Sequence, residues 1–341
     1  MRFVVDGPSS RRNRARMHHR SAVTAGRLLT AACALTLVGA CGGRDAEPAG
    51  EAGGASGAAG TSPLAVTPPG TDVWLADLHR EQTGPPSIGE PTNLTQRAGY
   101  DNQPFFVPDG SGLWYTAVDE HDGQADIWRY DFAPRMVARV TASSPESEYS
   151  ATPLPDGSGI SVIRVEADST QRLWRFDADG ANASVILEDV APVGYHAWAD
   201  ERTVVMFVLG SPATLQRADV VSGAVETIAE DVGRSIQRIP SSNDVSFVQL
   251  HGDGTSSIMR LSPGASEPEL VVETVGGGDF HAWTPDGTLL MADGSVVYAW
   301  TPGVTDGWEA VADFANLRLT ITRLAVSPDG SQIALVGEVS L

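Results

Sequence analysis

The chain contains no lysine. All 23 of its basic side chains are arginine, set against 43 aspartates and glutamates, for a formal net charge of −20. Seven of the arginines and one aspartate fall in the first 40 residues, which leaves 16 basic and 42 acidic residues beyond. So acidic a surface argues against nucleic acid and against electrostatic docking on anionic lipid. Cysteine is almost absent too: the two are Cys33 and Cys41. A domain formed after residue 41 has no thiol chemistry, disulfide or cysteine-ligated metal. No Gly-x-Ser-x-Gly elbow, phosphate-binding loop or dinucleotide fingerprint is present. The longest apolar run, Leu28–Ala40, is too short to span a bilayer.

That run has a different reading. Met17-His18-His19-Arg20 and Arg27 precede it, and Leu37-Val38-Gly39-Ala40-Cys41 closes it. Residues 1–40 therefore read as an export signal, with Met17 as a second candidate start. Val-Gly-Ala-Cys is similar to the bacterial lipobox, which makes Cys41 the lipidation candidate. Arg11-Arg12 does not make a twin-arginine signal, because Asn-Arg-Ala-Arg follows it. By resemblance to lipoprotein sorting, Gly42 after the cysteine favours an outer-membrane anchor. Residues 41–71 are rich in Gly, Ala and Pro and lack aromatics, so they form a flexible tether with a reach on the order of 30 Å.

What the remainder has in abundance is one turn. Val107-Pro108-Asp109-Gly110 returns as Leu154–Gly157, Thr284–Gly287 and Ser327–Gly330. Proline presets the turn, aspartate bonds its own backbone, and glycine supplies positive φ, so each copy marks a hairpin between apolar runs. The aspartates stand 47, 130 and 43 residues apart, which fits a unit of about 43 residues with two copies that have lost the signature. Tyr195–Met206 aligns with Phe280–Met291, and Ser242-Asn243-Asp244 before Val245–Leu250 fills the last slot. Six turns result, near residues 109, 156, 201, 243, 286 and 329. A strand-built repeat of this length predicts an all-β, six-bladed β-propeller of four-stranded antiparallel blades over residues 72–341. The last unit stops after strand Gln332–Val336 and lacks outer strands. Asp72–Leu78 and Pro91–Gln96 are expected to complete it and close the ring.

Pro104-Phe105-Phe106-Val107-Pro108-Asp109-Gly110, then Asp126-Ile127-Trp128, with Leu94-Thr95 and Val140-Thr141 at unit ends, resembles the TolB-type propeller repeats of bacterial envelope proteins. The resemblance covers about residues 72–341. Blades three and four depart from it by lacking Pro-Asp-Gly. TolB itself carries a separate α/β domain before its propeller, and residues 42–70 could not form one. The resemblance implies an envelope propeller that is not TolB.

The innermost strand of a blade lines the channel. Counting six residues back from each turn gives Gln103, Ser150, Tyr195, Gln237, Phe280 and Arg323, with His196, Arg238 and His281 beside them. A polar channel mouth suits a peptide or small ligand. His196 and His281 each open a His-Ala-Trp triplet in corresponding units. They are weak candidates for a shared metal, since no third ligand follows from spacing; each also suits a tryptophan edge or a backbone carbonyl. Asp119–Gly123 and His251–Gly254 are acidic loops without calcium-loop spacing, and read as hairpin turns. Most tryptophans sit at strand positions and read as core, while Trp300 and Trp308 flank a loop that could offer a surface. The functional expectation is a membrane-anchored, non-catalytic protein- or peptide-binding scaffold, monomeric, without cofactor. The alternatives are a channel-site metal-dependent lyase or hydrolase, and a carbohydrate or small-ligand binder.

Overall fold

The computed structural model describes residues 70–81, 84–119 and 123–339. The signal, Cys41, nearly all of the tether, and Glu120–Asp122 of the first acidic loop lie outside the described residues. The protein is all-β: six sheets radiate as blades, and a single 3-10 turn, Ala315–Leu317, is the one helical element among the described residues. Blade one runs Asp101–Phe106, Gly112–Val118, Ala125–Asp131, Met136–Arg139, each strand antiparallel to the next. The inner strands of the other blades are Ser147–Pro153, Val193–Trp198, Val232–Arg238, His281–Trp283 and Leu319–Val326.

The repeated turn works as its residues dictate. The glycine N–H donates to the carbonyl three residues back at 2.8 Å in Val107–Gly110 and 2.9 Å in Ser327–Gly330. Gly110, Gly157, Gly287 and Gly330 hold φ between 71° and 86°. Asp109, Asp156 and Asp329 each accept the N–H two residues on at 2.9–3.0 Å. Hydrogen bonds from the side chains of Ser111, Ser158 and Ser327, and after them these N–H groups, hold their carboxyls below the usual carboxylate range. In blade three Asp200 takes over, accepting from the N–H groups of Arg202 and Thr203 at 2.9 and 2.8 Å. Blade four uses a serine instead: Ser242 Oγ accepts the Asp244 N–H at 3.1 Å.

The Asp…Thr pairing of the repeat also has a physical role. Asp126 on the third strand of blade one accepts from Thr141 Oγ1 at 3.3 Å, while that oxygen accepts the Ile127 N–H at 2.9 Å. Arg139 closes the group by pairing with Asp126. Asp72, Thr95 and the Val73 N–H repeat the arrangement in the last blade at 3.0 and 3.1 Å. The threonine thereby pins the end of the outer strand to the third strand.

The ring closes through the N-terminal segment. Asp72–His79 pairs antiparallel with Gln332–Val339, from Asp72 opposite Gly337 to Asp77 opposite Gln332. Its outer neighbours are two short pieces, Ser87–Ile88 and Thr92–Asn93. The core accordingly divides into six apolar clusters, one between each pair of adjacent blades. The junction of last and first blades has the same character as the rest: Val73 and Val336, fully buried, pack with Leu113 and Tyr115.

Candidate functional site

Five of the six inner strands break register against their neighbour, between Asn102/Phe105, Tyr149/Thr152, Val193/Tyr195, Val232/Ile236 and Ile321/Arg323. A bulge re-aims the side chains at the break. Gln103 and Ser150 sit in two of them with φ of 57°, a left-handed conformation uncommon for non-glycine residues.

The strands surround a cavity of about 420 Å³. Gln103, Ser150, Tyr195, Gln237, Phe280 and Arg323 all line it, as do His196, Arg238 and His281. The register adds one correction. Arg238 pairs with Val245 as Phe106 pairs with Leu113, so the blade-four counterpart of Gln103 is Ser235, two residues before Gln237. The Ser-Ser-Asn-Asp turn lacks the Pro-Asp-Gly reference point, and counting from Asn243 overshoots. Gln237 still lines the cavity, as does Ser235.

Gln103 braces two blades: its Oε1 accepts from Thr116 Oγ1 at 2.8 Å and from the Ser150 N–H at 3.0 Å. The Ser150 hydroxyl is buried and unpaired. Ser235 does the same for blades four and five, its Oγ accepting the His281 N–H at 3.2 Å.

The two histidines are fastened rather than free. Ser161 Oγ, on blade two, donates to the Thr152 carbonyl at 3.2 Å, accepts from Trp198 Nε1 at 2.9 Å, and lies 2.7 Å from His196 Nε2. With its own proton given to the carbonyl, the serine can only accept from the imidazole, which assigns the Nε2–H tautomer to His196. Ser246 repeats this with the Gln237 carbonyl, Trp283 and His281 at 3.3, 2.8 and 2.8 Å. Both imidazoles are buried, and desolvation pushes their pKa down to about 3, so both are neutral at ordinary pH. Their Nδ1 atoms are buried and unpaired. Among the described residues no group of three or more His, Cys, Asp or Glu side chains is placed to hold a metal ion. The residues present therefore do not fit a three-ligand metal site.

An aromatic and arginine cluster lines the same cavity. The Arg323 guanidinium lies 3.8 Å from the Phe280 ring centroid and 5.2 Å from that of Tyr195. Its Nη2 donates to Tyr195 Oη at 3.3 Å. The two rings meet edge to face, with centroids 6.3 Å apart. Arg234 approaches Phe280 from another side at 5.1 Å and pairs with Asp279 at 2.6 Å. Arg234, Ser235, Asp279, Ser161 and Ser246 are members that sequence reasoning missed. The two serines did leave a signal: each stands 35 residues before the histidine it binds.

Trp300 and Trp308 meet at a tilt of 43°, centroids 6.4 Å apart, against the core between blades four and five. In the His251–Gly254 loop, Asp253 accepts the Thr255 N–H at 3.0 Å, as a tight turn requires.

No family of known sequences matches the chain, and no curated protein matches it. Solved structures do share the fold. One, described as "putative TolB" from Agrobacterium tumefaciens, is 14% identical with a TM-score of 0.61, over 80% of this chain and 99% of that one. TolB from Acinetobacter baumannii is 12% identical with a TM-score of 0.50, over 79% of this chain and 64% of that one. An oligogalacturonate lyase in complex with manganese is 16% identical with a TM-score of 0.50, over 73% of this chain and 80% of that one. The architecture is thus that of the TolB-type six-bladed propellers, and at these identities the likeness concerns the fold.

Proposed function

We propose that the chain is a lipid-anchored envelope protein whose propeller holds a peptide segment of a partner in its central cavity, without catalysing a reaction. The observation that carries this reading is the composition of the cavity wall. It combines aromatic faces (Phe105, Tyr195, Phe280), amide and hydroxyl groups (Gln103, Ser150, Gln237) and arginines, with no carboxylate. Aromatic and guanidinium groups are the side chains that anchor peptides most effectively. The volume lies in the range that ligand pockets occupy, roughly 300–1,000 Å³. Acid–base chemistry needs a group that gains or loses a proton near neutral pH. The two imidazoles that could serve are neutral, buried and bonded to serines. The lipobox sequence at Cys41 supports the anchor, and the TolB-type fold is compatible with an envelope role.

The test is a peptide selection on the purified chain, followed by cross-linking from a photo-reactive residue placed at Phe105. Peptides that cross-link at the cavity mouth and compete with one another support the reading. If none is selected, or if cross-links map to the blade rims, the scaffold reading fails. The metal-dependent alternative has two unpaired imidazole nitrogens in its favour and lacks a third ligand. Stoichiometric metal in the purified protein, lost in both His196→Ala and His281→Ala, would establish it.

A further inference from the structure

We infer that the cavity recognises a carboxylate, through Arg323 held against Phe280 and Tyr195, an inference that rests on the peptide-binding reading above. The first observation is one of charge. In a chain with a formal net charge of −20, the cavity lining contains Arg234, Arg238 and Arg323 and neither aspartate nor glutamate. Acidic residues outnumber arginines 42 to 16 beyond residue 40, yet the lining of this cavity reverses the sign.

The second observation is that the three arginines are not equally available. Arg234 is committed to Asp279, with its Nε 2.6 Å from the carboxylate. Arg238 is exposed and spends its donors on the Ser242 carbonyl and Asn243 Oδ1, both at 2.9 Å. Arg323 has no carboxylate partner among the described residues. Its one polar bond is the 3.3 Å contact to Tyr195, and its Nε is buried without an acceptor. A guanidinium has five N–H donors in a rigid fork, so most of its capacity is unspent.

The third observation concerns orientation. The guanidinium carbon lies 3.8 Å from the Phe280 centroid, so one face of the fork is turned to the ring, while Nη1 and the second Nη2 proton have no partner among the described residues. That is the geometry in which arginine takes a carboxylate through two parallel bonds. Holding the fork in place beforehand removes side-chain entropy that a mobile surface arginine would lose on binding. A partly desolvated cation without a counter-charge is unfavourable, and an entering carboxylate relieves it.

The carboxylate can come from a peptide C-terminus, an acidic side chain or a small organic acid. Four probes separate these on the full chain by titration calorimetry: acetyl-Ala-Ala-Phe with a free carboxylate, the same peptide amidated, amidated acetyl-Ala-Glu-Phe, and benzoate. Tightening of at least tenfold by either carboxylate over the neutral amide, lost in Arg323→Gln, is the expected result. The acid–amide comparison is made on the unaltered protein, so it holds even if Arg323→Gln folds poorly. Equal affinity for acid and amide, or an undiminished preference in a folded Arg323→Gln, overturns the inference while leaving the peptide reading intact. Arg323-dependent binding of benzoate without binding of any peptide retains the inference and discards the peptide reading. Failure of all four probes discards both.

Discussion

His196 Nε2 lies 2.7 Å from Ser161 Oγ across the boundary between blades two and three, and His281 makes the same bond to Ser246 between blades four and five. In each case the tryptophan two residues after the histidine donates to the same serine. The His-Ala-Trp triplet is therefore a clamp on the neighbouring blade. Two donors from one inner strand close on one hydroxyl that is itself bonded to the inner strand of its own blade.

Removing the hydroxyl leaves two buried donors without an acceptor. Ser161→Ala and Ser246→Ala are each expected to destabilise the fold by about 1–3 kcal/mol, the usual cost of stranding buried polar groups. Denaturant unfolding checks this, with Ser158→Ala, at an exposed turn, as the reference. A change below the scatter of that reference in both variants would remove the clamp.

The same histidines set a pH dependence. Their folded pKa of about 3 lies below the ordinary 6.5. Between these values the unfolded chain binds protons that the folded one refuses, so their contribution to stability is lost as pH falls from about 6.5 towards 3. Asp101 works in the opposite direction. Burial, only partly offset by Arg97, raises its carboxyl to about 6. The folded state then holds the extra proton between about 3.8 and 6, so stability declines as pH rises through that window. Glu148, buried beside Arg164, is raised for the same reason. The two effects oppose each other between pH 4 and 6. Stability against pH should steepen in Asp101→Asn and flatten in His281→Phe over that window, as measured by chemical denaturation at each pH. Shifts in the reverse sense would contradict the burial assigned to these groups.

How far the site could be read from the chain depended on the turns. Where Pro-Asp-Gly survives, proline and glycine fix the hairpin, the hairpin fixes the strand, and counting back reaches the cavity residue. That is why Gln103, Ser150, Phe280 and Arg323 were legible. Tyr195 was reached because its unit repeats Phe280-His281-Ala282-Trp283 almost letter for letter. Blade four had no such reference, and its register came out two residues late, at Gln237 instead of Ser235. The partners of these residues were not legible in the same way. Ser161, Ser246 and the Arg234–Asp279 pair act between blades, and the distance between blades is set by the closed ring, not by any local pattern. The placement of Arg323 against Phe280 belongs to this class, since the two come from different repeats.

The anchor makes a prediction independent of the propeller. If Val38-Gly39-Ala40-Cys41 is processed as a lipobox, radiolabelled fatty acid should be incorporated into the protein in its host, and Cys41→Ser should release it into the soluble fraction. The substitution touches none of the described residues, so the purified propeller should unfold at an unchanged midpoint. A Cys41→Ser protein that still pellets with membranes after a salt wash would exclude the anchor.

Ring closure gives the sharpest test of the architecture. Asp72–His79 supplies the third strand of a blade whose first two strands end the chain. Val73 and Ala76 on that strand are buried at the interfaces on its two sides, Val73 with blade one and Ala76 with blade five. Deleting residues up to 69 leaves every one of these contacts in place, whereas deleting up to 80 exposes Gln332–Val339 as an open edge and opens both interfaces. Exposed edges of this kind invite pairing with other chains. The shorter deletion should therefore behave as the parent in size-exclusion chromatography and unfold in one cooperative step. The longer one should aggregate or lose cooperativity. Addition of a synthetic peptide spanning residues 70–81 should restore a monomeric peak in part, because the missing strand pairs with Gln332–Val339 continuously from Asp72 to Asp77. A longer deletion that stays monomeric and unfolds like the parent would mean that the N-terminal strand decorates the last blade without closing the ring.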